Sequence, residues 1–173
     1  MTNTSSQMVA DFLHYNRWAN LRLIDACLEL TPEQLASSAP GTYGSIYVTL
    51  RHIVRAEAAY YRRLSGITLE PPFSWEADPS VSEIRPYLEQ VSSALVEVAE
   101  QMQNSDSIPF TSKEPEWEGY PDHIKAVAML IQVLNHGVEH RTNITTIMAA
   151  GGIQEPDLAG WEYMRLNPDR MGA

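Results

Sequence analysis

Apolar residues return every three or four positions along four long stretches of this chain, the spacing of one face of an α-helix. Met8, Phe12, Tyr15, Ala19 and Leu23 mark the first stretch, from about Ser6 to Leu30. Ile46, Leu50, Ile53, Glu57, Tyr60 and Leu64 mark the second, from about Ser45 to Leu64. The third, about Ser82 to Met102, carries Ile84, Leu88, Val91, Leu95, Val98 and Met102. Pro86 lacks an N–H and belongs in or near the first turn of that helix. The fourth helix is expected to begin near Asp122, a good N-cap, and to stop at Gly151-Gly152. At about 100° per residue, Ile124, Val127, Ile131, Leu134 and Val138 share one of its sides.

The connections read as turns and loops. "TPEQL" gives one short helical turn, with Thr31 as cap, Pro32 at the first helical position and Gln34 closing a capping box. "SSAPGTYGS" and "SGITLEPPFSWEADPS" are loops. "SDSIPFTSKEPEWEGYP" is irregular, with a short hairpin expected around Ile108–Thr111 and Glu116–Tyr120. A short helix is expected near Trp161. No long segment alternates like a strand, and no repeat or linker divides the chain. The pattern predicts an all-α fold: one domain over residues 1–173, a four-helix bundle with long connections.

Composition narrows the function. The chain has 173 residues, 44% hydrophobic and 20% charged, with a net charge of −10 and a pI near 4.8. Such acidity argues against a nucleic-acid partner and against docking on anionic lipid. Cys27 is the single cysteine, so no internal disulfide framework exists. No apolar run approaches the roughly 18 residues of a spanning helix, and "MTNTSSQMVADF" lacks the form of a signal peptide. The expectation is a cytoplasmic protein without membrane attachment.

Two histidines change the picture. His136 and His140 lie one turn apart on the fourth helix, within its apolar arc and aligned with Met129, Val133 and Ile147. Residues at i and i+4 are surface neighbours, so two ring nitrogens can converge on one ion. The same spacing suits a pair packed in or near the core. Gly137 follows His136, so the glutamate base of the zinc proteases is missing. His52 is the best candidate for a third ligand. It lies on a flank with Ser45, Ala56 and Ala59, whose small side chains leave room for a neighbouring helix. His14 and His123 read as surface residues.

Other residues carry weaker signals. Glu57 interrupts an apolar stripe, where an unpaired carboxylate is costly; it either orients a histidine or pairs with an arginine. Arg51, Arg55 and Arg62 line the opposite face, a solvated face that is also able to attract an anionic substrate. Cys27 has no His or Lys at helical spacing and is a poor nucleophile. Tyr15, Trp18, Tyr60 and Trp161 read as core.

The stretches "HYNRWANLRLIDACLELTPEQL", "GSIYVTLRHIVRAEAAYYRRLSG", "LNHGVEHRTNI" and "EPDLAGWEYM" stand in an order that resembles the DinB/YfiT-like superfamily. The resemblance spans nearly the whole chain. It implies an up-up-down-down four-helix bundle, often a homodimer, with a divalent metal held by three histidines, here His52, His136 and His140. It also implies thiol-dependent transferases and isomerases that use low-molecular-weight thiols. The family's frequent His-Arg-Gly-Gln reads His140-Arg141-Thr142-Asn143 here, which keeps the ligand and the arginine and leaves the role of the glutamine open. Three nitrogens and an open position make a catalytic rather than a structural zinc site; zinc or nickel is the expected metal. The leading expectation is a metal-dependent small-thiol S-transferase acting on a small-molecule substrate. A metal-dependent hydrolase and a metal- or ligand-binding bundle without turnover are the alternatives.

Overall fold

A computed structural model describes residues 4–102, 106–109 and 122–171. The expected helices are present: α1 (Thr4–Leu28), α3 (Ile46–Ser65), α4 (Val81–Gln101) and α5 (Ala126–Ala150), with short α2 (Pro32–Leu35), α6 (Gly160–Leu166) and α7 (Pro168–Met171). A single 3₁₀ turn, Trp75–Ala77, lies in the α3–α4 connection. The fold is all-α, and no described helix is long and apolar enough to cross a membrane.

Local chemistry sets the helix ends. The Thr31 hydroxyl accepts from the Gln34 N–H, and the Gln34 side chain accepts from the Thr31 N–H, the expected capping box. Ser80 and Glu83 form a second box at α4. Pro86 stands six residues into α4 rather than in its first turn. It is exposed, so the carbonyl it leaves without an N–H partner faces water, where the loss costs least. At the end of α5, Gly152 adopts φ +66°. The N–H groups of Gly152 and Ile153 donate back to the carbonyls of Ala149 and Met148, a Schellman ending.

The start of α5 departs from expectation. Strand β1 (Ser107–Pro109) pairs antiparallel with β2 (His123–Lys125), Ile108 opposite Ile124. The helix therefore begins at Ala126, Asp122 is not its cap, and Lys125 stands at the N-cap without a side-chain bond. Burial of Ile108 and the bond from the Ala126 N–H to the Asp106 carbonyl, at 2.9 Å, favour pairing over an earlier helical turn. The expected second strand, Glu116–Tyr120, lies outside the described residues.

Helix α1 packs on α4 and α5, and α3 packs on the same two helices. Leu13, Leu23 and Ile24 of α1, Leu50 and Ile53 of α3, Ile84, Leu88 and Leu95 of α4, and Ile144 and Met148 of α5 fill the space between them. The stripes of α3 and α4 face this core much as read, although Tyr61 is buried in place of Tyr60. Three other readings are corrected. Met8 and Phe12 are more than half exposed, and Ile131 and Val138 turn outward on α5. The inward face of α5 instead carries Met129, Val133, His136, His140, Ile144 and Ile147. The true inward arc lies beside the side drawn through Ile131 and Val138, because the two histidines belong to it. Trp161, read as core, is 80% exposed, and Tyr163 takes its place against Tyr15 and Trp18.

Candidate metal centre

His52 projects from the middle of α3 and meets His136 and His140 on α5. One ring nitrogen from each lies within 4.8 Å of the others, and His52 Nε2 sits 2.9 Å from His136 Nε2. About 2.0–2.1 Å for a zinc–nitrogen bond implies roughly 3.3 Å between tetrahedral nitrogens. The cluster spans that value, so small rotamer adjustments would seat one ion. Among the described residues, no cysteine or carboxylate joins the three histidines in the cluster. His140 Nδ1 is buried without a hydrogen-bond partner, an arrangement that is costly unless something else meets it.

Burial holds the imidazoles neutral. His136 is pushed down to about 4, first by burial and then by the charges of His140 and His52. His52 is lowered by burial, by His140 and by Arg55, against a small opposing pull from Glu139. Burial lowers His140 as well, again opposed by Glu139. Neutral nitrogen is the form that binds a metal. Protons therefore compete at the cluster only at lower pH than at free imidazole. In metal-free protein, the His136 ring is expected to remain neutral at pH 5 and to titrate near 4 by NMR; a midpoint near 6.5 would contradict this burial. The link to stability follows the same sign. The unfolded chain takes up the His136 proton near 6.5 and the folded chain only near 4, so this contribution is complete above 6.5 and is lost as pH falls towards 4.

A residue that the sequence did not single out covers the cluster. Tyr43, in the loop before α3, stacks on His52 at 4.4 Å between ring centroids and meets His140 edge-on at 4.9 Å. Its hydroxyl lies 3.2 Å from His52 Nδ1, the place where a ligand histidine ordinarily has its outer partner. Asn143 fixes this loop: its Oδ1 accepts from the Tyr43 N–H at 2.9 Å, and its Nδ2 donates to the Glu139 carbonyl. The asparagine in the His140-Arg141-Thr142-Asn143 motif therefore positions the tyrosine over the histidines.

Behind the cluster lies a buried polar network. Glu57 Oε1 accepts from Asn16 Nδ2 at 2.7 Å and Asn20 Nδ2 at 2.6 Å. Arg141 Nη1 donates to both asparagine carbonyls at 2.7 Å. The charge facing Glu57 is thus Arg141, relayed through two asparagines, and not an arginine of α3. Burial pushes Glu57 up to about 7 against the pull of Asn16, Arg141 and Asn20. The network ties α3 and α5, the two helices that carry the histidines, to α1. Gly137 is needed for it. A Cβ there would lie 2.6 Å from Arg141 Nη1 and closer still to Asn16 Oδ1. Gly137→Ala is expected to destabilise the protein by about 1–3 kcal/mol, read as a lower urea midpoint; an unchanged midpoint would mean that the network yields freely.

The remaining candidates stand apart. His14 is bonded to Glu100 at 3.1 Å, and His123 is exposed on β2. Cys27 is fully buried, with its thiol pushed up to about 12 by burial, which leaves it inert at neutral pH. Beside His52 a cavity of about 550 Å³ is lined by Tyr43, Val48, Arg51, Arg55, Ala56 and Ala59, so the small residues of the His52 flank do leave open space.

Fold and site together define a helical bundle with a three-histidine cluster able to hold a metal ion. The chain belongs to the DinB family, whose model matches residues 1–171. No curated protein matches it closely enough to show relatedness.

Proposed function

We propose that His52, His136 and His140 bind one divalent ion, zinc or nickel, and that the protein is a metal-dependent small-thiol S-transferase. The observation that carries this reading is the convergence of three neutral imidazoles from two helices beside an open cavity. Three nitrogen ligands leave a coordination position free and the ion's charge intact, the pattern of catalytic zinc. When bound, such an ion would bring the pKa of a coordinated thiol or water towards neutrality.

The chain's own residues favour a thiol. Cys27 is unreactive, so the sulfur has to come from a small molecule. Hydrolysis asks for a group to take the proton of water, and among the described residues lining the cavity there is no carboxylate; Glu139, whose charge reaches His52 and His140, is not one of them. In transfer, the thiolate sulfur attacks an electrophilic carbon, a C–S bond forms, the leaving group departs with its electron pair, and the thiol proton passes to solvent. Tyr43 steadies His52, and Asn143 holds Tyr43 in place. A cytoplasmic location belongs to the same reading, since thiols are kept reduced there.

The test is a screen of zinc- and nickel-loaded protein with small thiols and an activated aryl halide. Conjugation that requires both metal and thiol supports transfer. Ester cleavage without thiol would replace it with hydrolysis, and the absence of both would leave a binding bundle. Homodimerisation belongs to the same reading, with exposed Met8, Phe12, Ile131 and Val138 as the surface to be covered. Sedimentation on the order of tens of micromolar should give the dimer mass; a monomer would remove this part.

A further inference from the structure

Arg51 and Arg55 line the His52 cavity, and among its described lining residues there is no carboxylate, in a protein of net charge −10. Arg51 is committed elsewhere: Nη1 donates to Asp78 Oδ1 and Nη2 to the Trp75 carbonyl, both at 2.6 Å. Arg55 makes no hydrogen bond or salt bridge among the described residues. Its guanidinium lies over the Trp75 ring, 5.6 Å from the centroid. The Glu76 carboxylate accepts from the Ser74 hydroxyl, and the charges of Arg55 and Arg51 add a weaker pull on it. Arg55 stands three residues after His52 and so shares its helix face. Ala56 and Ala59 leave the floor between them clear.

We propose that this cavity selects a small thiol bearing a carboxylate, with the carboxylate on Arg55 and the sulfur directed at the three histidines. The proposal rests on the metal-and-thiol reading above. A guanidinium offers parallel N–H donors that match a carboxylate in two-pronged fashion. A neutral ligand of equal length finds no such partner. The overall negative charge would otherwise repel an anion, so a preference for one has to come from a local cation.

The experiment uses cobalt-loaded full-length protein and reads the cobalt–thiolate absorption band during titration with 3-mercaptopropionate and with neutral 3-mercaptopropanol. The carboxylate thiol is expected to bind about twofold to fivefold more tightly, the scale of a partly exposed charge pair. Arg55→Gln should bring the ratio close to one. Arg62→Gln, which removes the same charge from an exposed position of α3, should leave it unchanged. Equal affinities in wild type, or the same preference in Arg55→Gln, overturn the proposal while the metal-and-thiol reading stands. A response to Arg62→Gln as large as that to Arg55→Gln overturns it in favour of general charge. Cobalt uptake without a thiolate band for either ligand overturns the thiol reading and the proposal together, and failure to take up cobalt overturns the metal site itself.

Discussion

Replacing His140 with alanine is expected to weaken zinc binding by at least about a hundredfold while the far-UV circular dichroism stays that of wild type. Loss of an outer-shell partner alone typically lowers metal affinity by about 10–100-fold, and loss of a direct ligand should do no less. The helix should survive, because α5 is held by Met129, Val133, Ile144, Ile147 and Met148 on the same inward arc. His52→Ala should behave alike, since Leu50, Ile53 and Val54 anchor α3. Tyr43→Phe is a milder counterpart: it removes only the hydroxyl beside His52 Nδ1 and keeps the stacked ring. If both alanine variants bind zinc as tightly as wild type, the histidines are merely packed against one another.

Arg141→Met is expected to have the largest effect on stability. Arg141 is 3% exposed and Glu57 2%, so the substitution leaves a buried carboxylate facing two asparagines with no cation behind them. Breaking a buried pair by removing one partner costs about 3–5 kcal/mol. For a chain of this size that corresponds to a fall in Tm of roughly 6–20 °C. The double variant Arg141→Met/Glu57→Gln should lose less than the sum of the single changes, because the stranded charge is gone. Arg141→Met should also loosen zinc binding by about tenfold, since the network fastens both histidine-bearing helices to α1. A Tm within about 2 °C of wild type would show that the network holds little of the bundle together.

Apolar spacing made the four long helices legible, and cap chemistry made the start of short α2 at Thr31 and the end of α5 at Gly151-Gly152 legible. Where pairing across the chain competes with a local cap, as at Asp122 and β2, local signals mislead. The side of α5 drawn through Ile131 and Val138 pointed outward for a related reason. Histidine counts as polar in a hydropathy pattern, yet here two of them define the buried face. His136 and His140 were readable as a pair from spacing, and His52 from its small-residue flank and the resemblance. Tyr43 was not readable, because it reaches the site through a loop that Asn143 anchors from 100 positions away. The partners of Glu57 were hidden for the same reason: a carboxylate in an apolar stripe announces that it needs partners, not that they are Asn16, Asn20 and Arg141 on two other helices. Gly137 looked like an absent glutamate, whereas its role is to let Arg141 and Asn16 approach the backbone of α5.

Competitive zinc titration of chelator-treated wild-type protein near pH 7, read against a chromophoric chelator, tests the metal centre most directly. One zinc per chain should bind saturably, and its affinity should fall as pH is lowered from 7 towards 4, where protons compete for His136. Absence of saturable uptake, or uptake indifferent to pH over that range, would contradict a site built from His52, His136 and His140.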